Sequence, residues 1–163
     1  TATAQGTQFT SGRFNPDVPN RVQAIMINPF VKFKGLEVFG AYEIVNGSNY
    51  ADVSGSADRK EWDKRNFTQY SVEGVYRFLP REQMYIGARY IGMTGEPRGL
   101  KDAAGNQLEV SVDRFALAAG WFPTKNMLLK GEYVVQNFTD FPTNDYRNEG
   151  KFNGFMVQAV IGF

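Results

Sequence analysis

The 163 residues include no cysteine and no histidine. Without cysteine there is no disulfide framework, thiolate nucleophile or zinc-thiolate site. Without histidine, a Ser-His-Asp triad, an imidazole general base and a His-ligated metal are all excluded. Charge of one sign is lacking too: 18 Lys and Arg face 17 Asp and Glu. The chain therefore has no basic field that would recruit nucleic acid. Nor does any stretch approach the roughly 18 uninterrupted apolar residues of a transmembrane helix. The amino terminus shows no charged-then-apolar signal pattern, although an exported protein can lose its signal before this numbering begins. No break in composition divides the chain, so one domain over 1–163 is expected.

What the chain has is aromatic residues, 14 Phe and 8 Tyr, in segments of alternating polarity. Gly, Asn and Pro clusters punctuate these segments, and none shows a sustained 3.6-residue apolar stripe. The alternation predicts an all-β chain of seven strands: 21–33, 36–46, 66–79, 84–95, 110–122, 127–138 and 151–163. Residues 1–20 have no convincing apolar face and read as a loop or a weak first strand. The connections alternate in length. Lys34-Gly35, Pro80 to Gln83 and Pro123 to Asn126 read as tight turns. The segments 47–65, 96–109 and 139–150 read as long polar loops. Short turns at one end and long loops at the other are the asymmetry of a transmembrane β-barrel.

Taking the more apolar parity of each strand gives one face. It holds Ile25, Ile27, Pro29, Val31 and Phe33, then Leu36, Val38, Gly40, Tyr42 and Ile44, then Tyr70, Val72, Gly74, Tyr76 and Phe78. It continues through Met84, Ile86, Ala88, Tyr90 and Gly92, then Phe115, Leu117, Ala119 and Trp121, then Met127, Leu129, Gly131, Tyr133 and Val135. The charges in the body of the strands are expected on the other parity: Lys32, Glu37, Glu43, Glu73, Arg77, Arg89, Arg114, Lys130 and Glu132, with Gln69, Gln136 and Gln158 beside them. In a membrane barrel these line the lumen, because a Lys or Arg on the lipid face at mid-bilayer costs about 2–4 kcal/mol. Alternation alone does not say which face is inside, and a soluble lipocalin-like barrel or a β-sandwich would use the same pattern with its apolar face in a core. A proline within a strand removes a ladder hydrogen bond, so Pro29 marks either a bulge or an edge strand.

Weaker signals carry structural readings. Asp102-Ala103-Ala104-Gly105-Asn106 lacks the acidic spacing of a calcium loop and reads as a turn. The run Asp58 to Arg65 reads as a solvated loop. Asn46-Gly47-Ser48, Asn66-Phe67-Thr68 and Asn137-Phe138-Thr139 match a glycosylation triplet by chance in a bacterial barrel. Glu43, Glu73 and Glu132 share their face with cations and read as salt-bridged. The chain is therefore expected not to be an enzyme, and to use neither metal nor cofactor.

The last segment places Phe155, Val157, Ala159, Ile161 and the carboxy-terminal Phe163 on one face. This ending resembles the terminal strand of bacterial outer-membrane β-barrels, which implies that the barrel-assembly machinery reads these five residues as an insertion signal. Asn28 to Glu37, Gly120 to Tyr133 and Lys151 to Phe163 together resemble the last strands of porin-like outer-membrane proteins of Bacteroidota-type bacteria, broadly the phosphate-selective porin superfamily. The resemblance spans most of residues 21–163. It implies an antiparallel up-and-down barrel of about sixteen strands, of which this chain is the carboxy-terminal part, with periplasmic carboxy terminus and extracellular long loops. It also implies passive diffusion of small polar or charged solutes, contact with outer-membrane lipid and lipopolysaccharide, and a homo-oligomer or larger membrane assembly. Anion selectivity does not carry over, because the nine expected lumen charges mix five cations with four anions. The alternatives are a non-transporting structural or adhesive barrel, or a barrel subunit of a larger outer-membrane assembly.

Overall fold

The computed structural model describes residues 20–51, 60–102 and 104–162. The chain is all-β. Its strands are β1 (Asn20–Ile27), β2 (Phe30–Phe33), β3 (Leu36–Ala51), β4 (Lys60–Phe78), β5 (Met84–Gly95), β6 (Val110–Thr124), β7 (Met127–Thr139) and β8 (Lys151–Ile161). One antiparallel sheet contains them all in the order β1-β3-β4-β5-β6-β7-β8, with β2 also on β3. β1 and β8 do not pair, so the described sheet is open. Substantial contacts between elements run between ladder neighbours, apart from a 3-10 turn at Pro80–Glu82 against β4. It is a single layer. No helix is long and apolar enough to cross a membrane among the described residues.

Four features differ from the sequence reading. The expected strand 21–33 is broken at Asn28-Pro29 into β1 and β2, which both pair with β3. The break follows from the missing proline N–H, and the Pro29 carbonyl still accepts a 2.9 Å bond from the Gly40 N–H. Secondly, the expected long loop 47–65 is largely hairpin: β3 continues to Ala51 and β4 begins at Lys60, with Ala51 opposite Lys60. The runs Asn46 to Asn49 and Asp63 to Asn66 that lead into these rungs show no alternation of hydrophobicity, so the sequence pattern misses them. Thirdly, β6 runs through Pro123 to Thr124, with a register shift after Trp121 and a two-residue turn at Lys125-Asn126. Lastly, the carboxy-terminal strand ends at Ile161. Residues 1–19 and Phe163, to which a loop and an insertion signal were assigned, lie outside the described residues.

The turns at the short end are locally dictated. Lys34 and Gly35 both have positive φ, 43° and 82°, the pattern of a type I′ hairpin turn. A Cβ on Gly35 would stand 2.6 Å from the Arg77 carbonyl oxygen, so only glycine fits there.

Register turns the sequence parities into continuous rows across the sheet. One reads Val31, Val38, Gly74, Ala88, Leu117, Tyr133, Phe155. On its short-turn side lies Leu36, Tyr76, Ile86, Ala119, Gly131, Val157, and beyond that Phe78, Met84, Trp121, Leu129, Ala159. This apolar parity is exposed along every strand, up to 71% at Phe155 and Val157. Over β3–β7 the opposite parity is the less exposed one, with Glu37 at 21% and Lys130 at 23%, although Arg89 stays half exposed; on β2 and β8, at the edges, both parities are exposed. With no second layer on either face, that difference means the sheet curls with its polar parity on the inside of the bend.

Asp113 corrects the rule that strand charges avoid the apolar parity. It stands on the same face as Phe115, opposite Gly92 and Asn137, and accepts a 2.5 Å hydrogen bond from the Tyr90 hydroxyl. Its row, Tyr42, Tyr70, Gly92, Asp113, Asn137, Lys151, is where this face stops being apolar at the long-loop end.

A cross-strand pair on the inner face, beside the short turns, gives a stability prediction. Gly120 is opposite Tyr85, whose ring lies across it, so that a Cβ there would overlap the ring. Gly120→Val is expected to destabilise the fold by about 1–3 kcal/mol through overpacking. The measurement is the guanidinium unfolding midpoint of the native chain, with Gly74→Ala, where a Cβ meets no atom within 4 Å, as the comparison.

Candidate functional site: the charged inner face

The inner parity of β2–β8 carries all nine expected site charges, and the structure brings seven of them together. Lys32 and Glu37 are register partners across the β2–β3 hairpin and form a 2.8 Å ion pair. Arg77, on β4 beside the turn, adds a 3.3 Å contact from Nε to the same Glu37 carboxylate. Glu73 and Arg89, opposite each other on β4 and β5, form an ion pair. Lys130 and Glu132, two residues apart on β7 and so on one face, are joined at 2.5 Å. Each of these four cations has a carboxylate beside it.

Glu43 and Arg114 are not brought into an ion pair among the described residues. Arg114 stands opposite Ile91 and Gln136 in a row with Ala41, Ser71 and Phe152. Its Nε is buried and has no hydrogen-bond partner among the described residues.

Between β4 and β7 the inner face forms a trough of about 230 Å³ lined by Glu73, Arg77, Arg89, Lys130 and Glu132. Its middle is made of small residues, Gly87, Ala116 and Ala118, which keep the long charged side chains from being crowded out. Tyr85 and Phe122 also line it. Sequence reasoning missed both, because it took the aromatics of these strands from the apolar parity alone. The signal was available: they alternate with Met84 and Trp121.

Toward the long-loop end the inner face changes character. Phe67, Val110 and Phe141 are buried, at 6%, 1% and 4% exposure, and Phe67 and Val110 share a row through Gly95. Phe138, at the inner end of β7, meets Phe141 edge to face at 6.0 Å, so the β7–β8 loop turns over this end of the sheet. The run expected as solvated is corrected at Arg65, which is fully buried; Lys64 is exposed, and the side chains before it lie outside the described residues.

Two loop carboxylates hold their loops locally. The Asp102 side chain accepts from the Ala104 and Asn106 N–H groups and the Asn106 amide, which holds its carboxyl below the ordinary range. Its oxygens serve the turn itself, and no acidic cluster able to hold a metal occurs among the described residues.

Asp145 accepts from the Arg147 guanidinium and backbone N–H, which likewise holds its carboxyl below the usual value of 3.8. Arg147 in turn lies 4.5 Å over the Phe141 ring. A depressed carboxyl contributes stability above its unfolded pKa, and that contribution is lost as pH falls through the folded value. Protection of the Arg147 amide from hydrogen exchange is therefore expected to hold at neutral pH and fall only below pH 3.8. Asp145→Asn is expected to lose that pH dependence when followed by exchange mass spectrometry.

Comparison with family models, with curated proteins and with solved structures finds no match.

Proposed function

We propose that the chain is a sector of a bacterial outer-membrane β-barrel whose charged inner face lines a channel for passive diffusion of small polar or charged solutes. The observation that carries this reading is the direction of the curl. A soluble barrel or sandwich buries its apolar parity, yet here the apolar rows are exposed, and over β3–β7 the charged parity is the more covered one and carries the trough. A contiguous apolar face of this extent on one layer needs lipid or protein against it. The rows from Trp121 to Phe115 supply an apolar band, and Tyr70 with Asp113 mark its polar upper rim.

Lipid on the outside also accounts for the edges. Among the described residues β1, β2 and β8 pair on one side only, and an open edge is what the hydrocarbon region does not tolerate. Further strands, about sixteen in all on the resemblance, would close them. On this reading Phe33, Phe78 and Trp121 form the periplasmic belt. Phe155, Val157, Ala159, Ile161 and Phe163 serve the assembly machinery, and the long loops meet lipopolysaccharide.

The test is conductance of the native full-length protein in planar bilayers, and passage of small solutes into vesicles that contain it. Stepwise conductance is expected. Folded, heat-modifiable protein that neither conducts nor passes solute would replace the channel with the second reading, a non-transporting structural or adhesive barrel. The compensated ion pairs and the buried Phe67, Val110 and Phe141 at the loop end are what favour that second reading.

A further inference from the structure

The trough between β4 and β7 is unlike a site for an ion. Arg89 and Lys130 each already hold a carboxylate, Glu73 and Glu132. An incoming anion would have to displace that carboxylate, and an incoming cation would have to displace the base. A hydroxyl group both donates and accepts. Two neighbouring hydroxyls can therefore accept from Lys130 or Arg89 and donate to Glu132 or Glu73 with the ion pair left in place.

The same trough offers aromatic surface. The Tyr85 and Phe122 rings lie 6.2 Å apart and tilted by 45°, and the Arg77 guanidinium is 5.7 Å from the Tyr85 centroid. The Tyr85 ring lies over Gly120, opposite it on β6, where the absence of a Cβ leaves it room. Aromatic faces flanked by a few placed polar groups suit a ligand that is apolar on its ring faces and hydroxylated at its rim. We infer that the trough binds a neutral polyhydroxylated solute, a sugar or short oligosaccharide, stacked on Phe122 beside Tyr85 with its hydroxyls bridging the Arg89–Glu73 and Lys130–Glu132 pairs. This deepens the channel reading; passage rests on that reading, whereas binding does not.

The experiment is isothermal titration of the native full-length protein in detergent with maltotriose, with a polyethylene glycol of similar mass and inorganic phosphate as comparators. Saturable maltotriose binding is expected at a dissociation constant on the order of millimolar, insensitive to added salt. Phe122→Leu and Glu132→Gln should each weaken it by at least about fivefold. Two variants are used so that a folding failure of one, seen as loss of heat-modifiable mobility, leaves the other to decide. No saturable binding, equal binding of the glycol, unchanged affinity in a folded variant, or salt-sensitive phosphate binding in its place would each overturn the inference. Conductance without maltotriose binding removes the sugar site and leaves the channel. Maltotriose binding without conductance removes the channel and leaves the site.

Discussion

Leu117→Arg is expected to lose about 2–4 kcal/mol of stability in lipid, enough to leave most of the protein unassembled in the membrane. Leu117 is 48% exposed, in the row that runs from Val31 through Ala88 to Phe155. One row lies on either side of it before the aromatic and polar rims begin: Ala119 and its neighbours below, Phe115 and its neighbours above. A charge there has the greatest distance to travel to water. Val75→Arg is the control, one step along the ladder on the opposite parity and already among trough residues. On the channel reading it faces water and is expected to change stability by less than about 1 kcal/mol. The measurement is guanidinium unfolding of the native chain in lipid vesicles. Equal tolerance of both arginines would mean that the apolar face does not meet lipid, and the membrane reading would fall with it.

The parity rule behind that contrast was legible in the sequence, because the side-chain period of a strand is exact wherever the strand is unbroken. It placed Lys32, Glu37, Glu73, Arg77, Arg89, Lys130 and Glu132 on one face, and the sheet register then set Lys32 opposite Glu37 and Glu73 opposite Arg89. What it did not supply was partner choice. That Arg77 reaches Glu37, 40 positions away, depends on the β3–β4 register, which no local pattern encodes. Asp113 escaped the rule because the rule describes the middle of a strand, and β6 extends past the apolar band to a rim where an acid can take a tyrosine hydroxyl. The outer part of the β3–β4 hairpin escaped because the runs from Asn46 to Asn49 and from Asp63 to Asn66 have no alternation of hydrophobicity to read, so only the ladder shows it. Arg65 was read from the charges around it in sequence, whereas its burial is set by what the fold brings over it. Pro29 was read as a bulge or an edge, and the edge reading holds: it interrupts the edge of the described sheet between β1 and β2, with no shift of register across it.

The open edges and the paired charges bear on selectivity together. If the remaining strands complete a channel, this sector contributes little net field from Lys32, Glu37, Glu73, Arg77, Arg89, Lys130 and Glu132, because opposite charges lie within a few ångströms of one another. A paired charge is also a poor test residue. Removing Glu73 strands Arg89, so any change in conductance is mixed with a change in packing.

Arg114 separates the two effects. It makes no ion pair among the described residues, and its neighbours along the row are Ile91 and Gln136. Arg114→Glu is therefore expected to shift the permeability ratio toward cations while the unfolding midpoint stays within about 1 kcal/mol of the parent. A unit charge about 4 Å from a passing ion in water is worth about 1 kcal/mol, on the order of fivefold in relative permeability. Reversal changes two units, so the shift is expected to be large at low salt and to shrink as salt rises. The measurement is the reversal potential of the native protein in a planar bilayer under a potassium chloride gradient, at low and high total salt. Arg89→Glu is the contrast: it changes the same charge but also places two carboxylates opposite each other, Glu73 and the new one, and is expected to lower stability as well. A reversal potential unmoved by Arg114→Glu in a conducting protein would mean that the face carrying Arg114 does not line the path of the ions. Loss of heat resistance in both variants with no conductance in the parent would instead favour an inner face that serves only to hold the barrel shut.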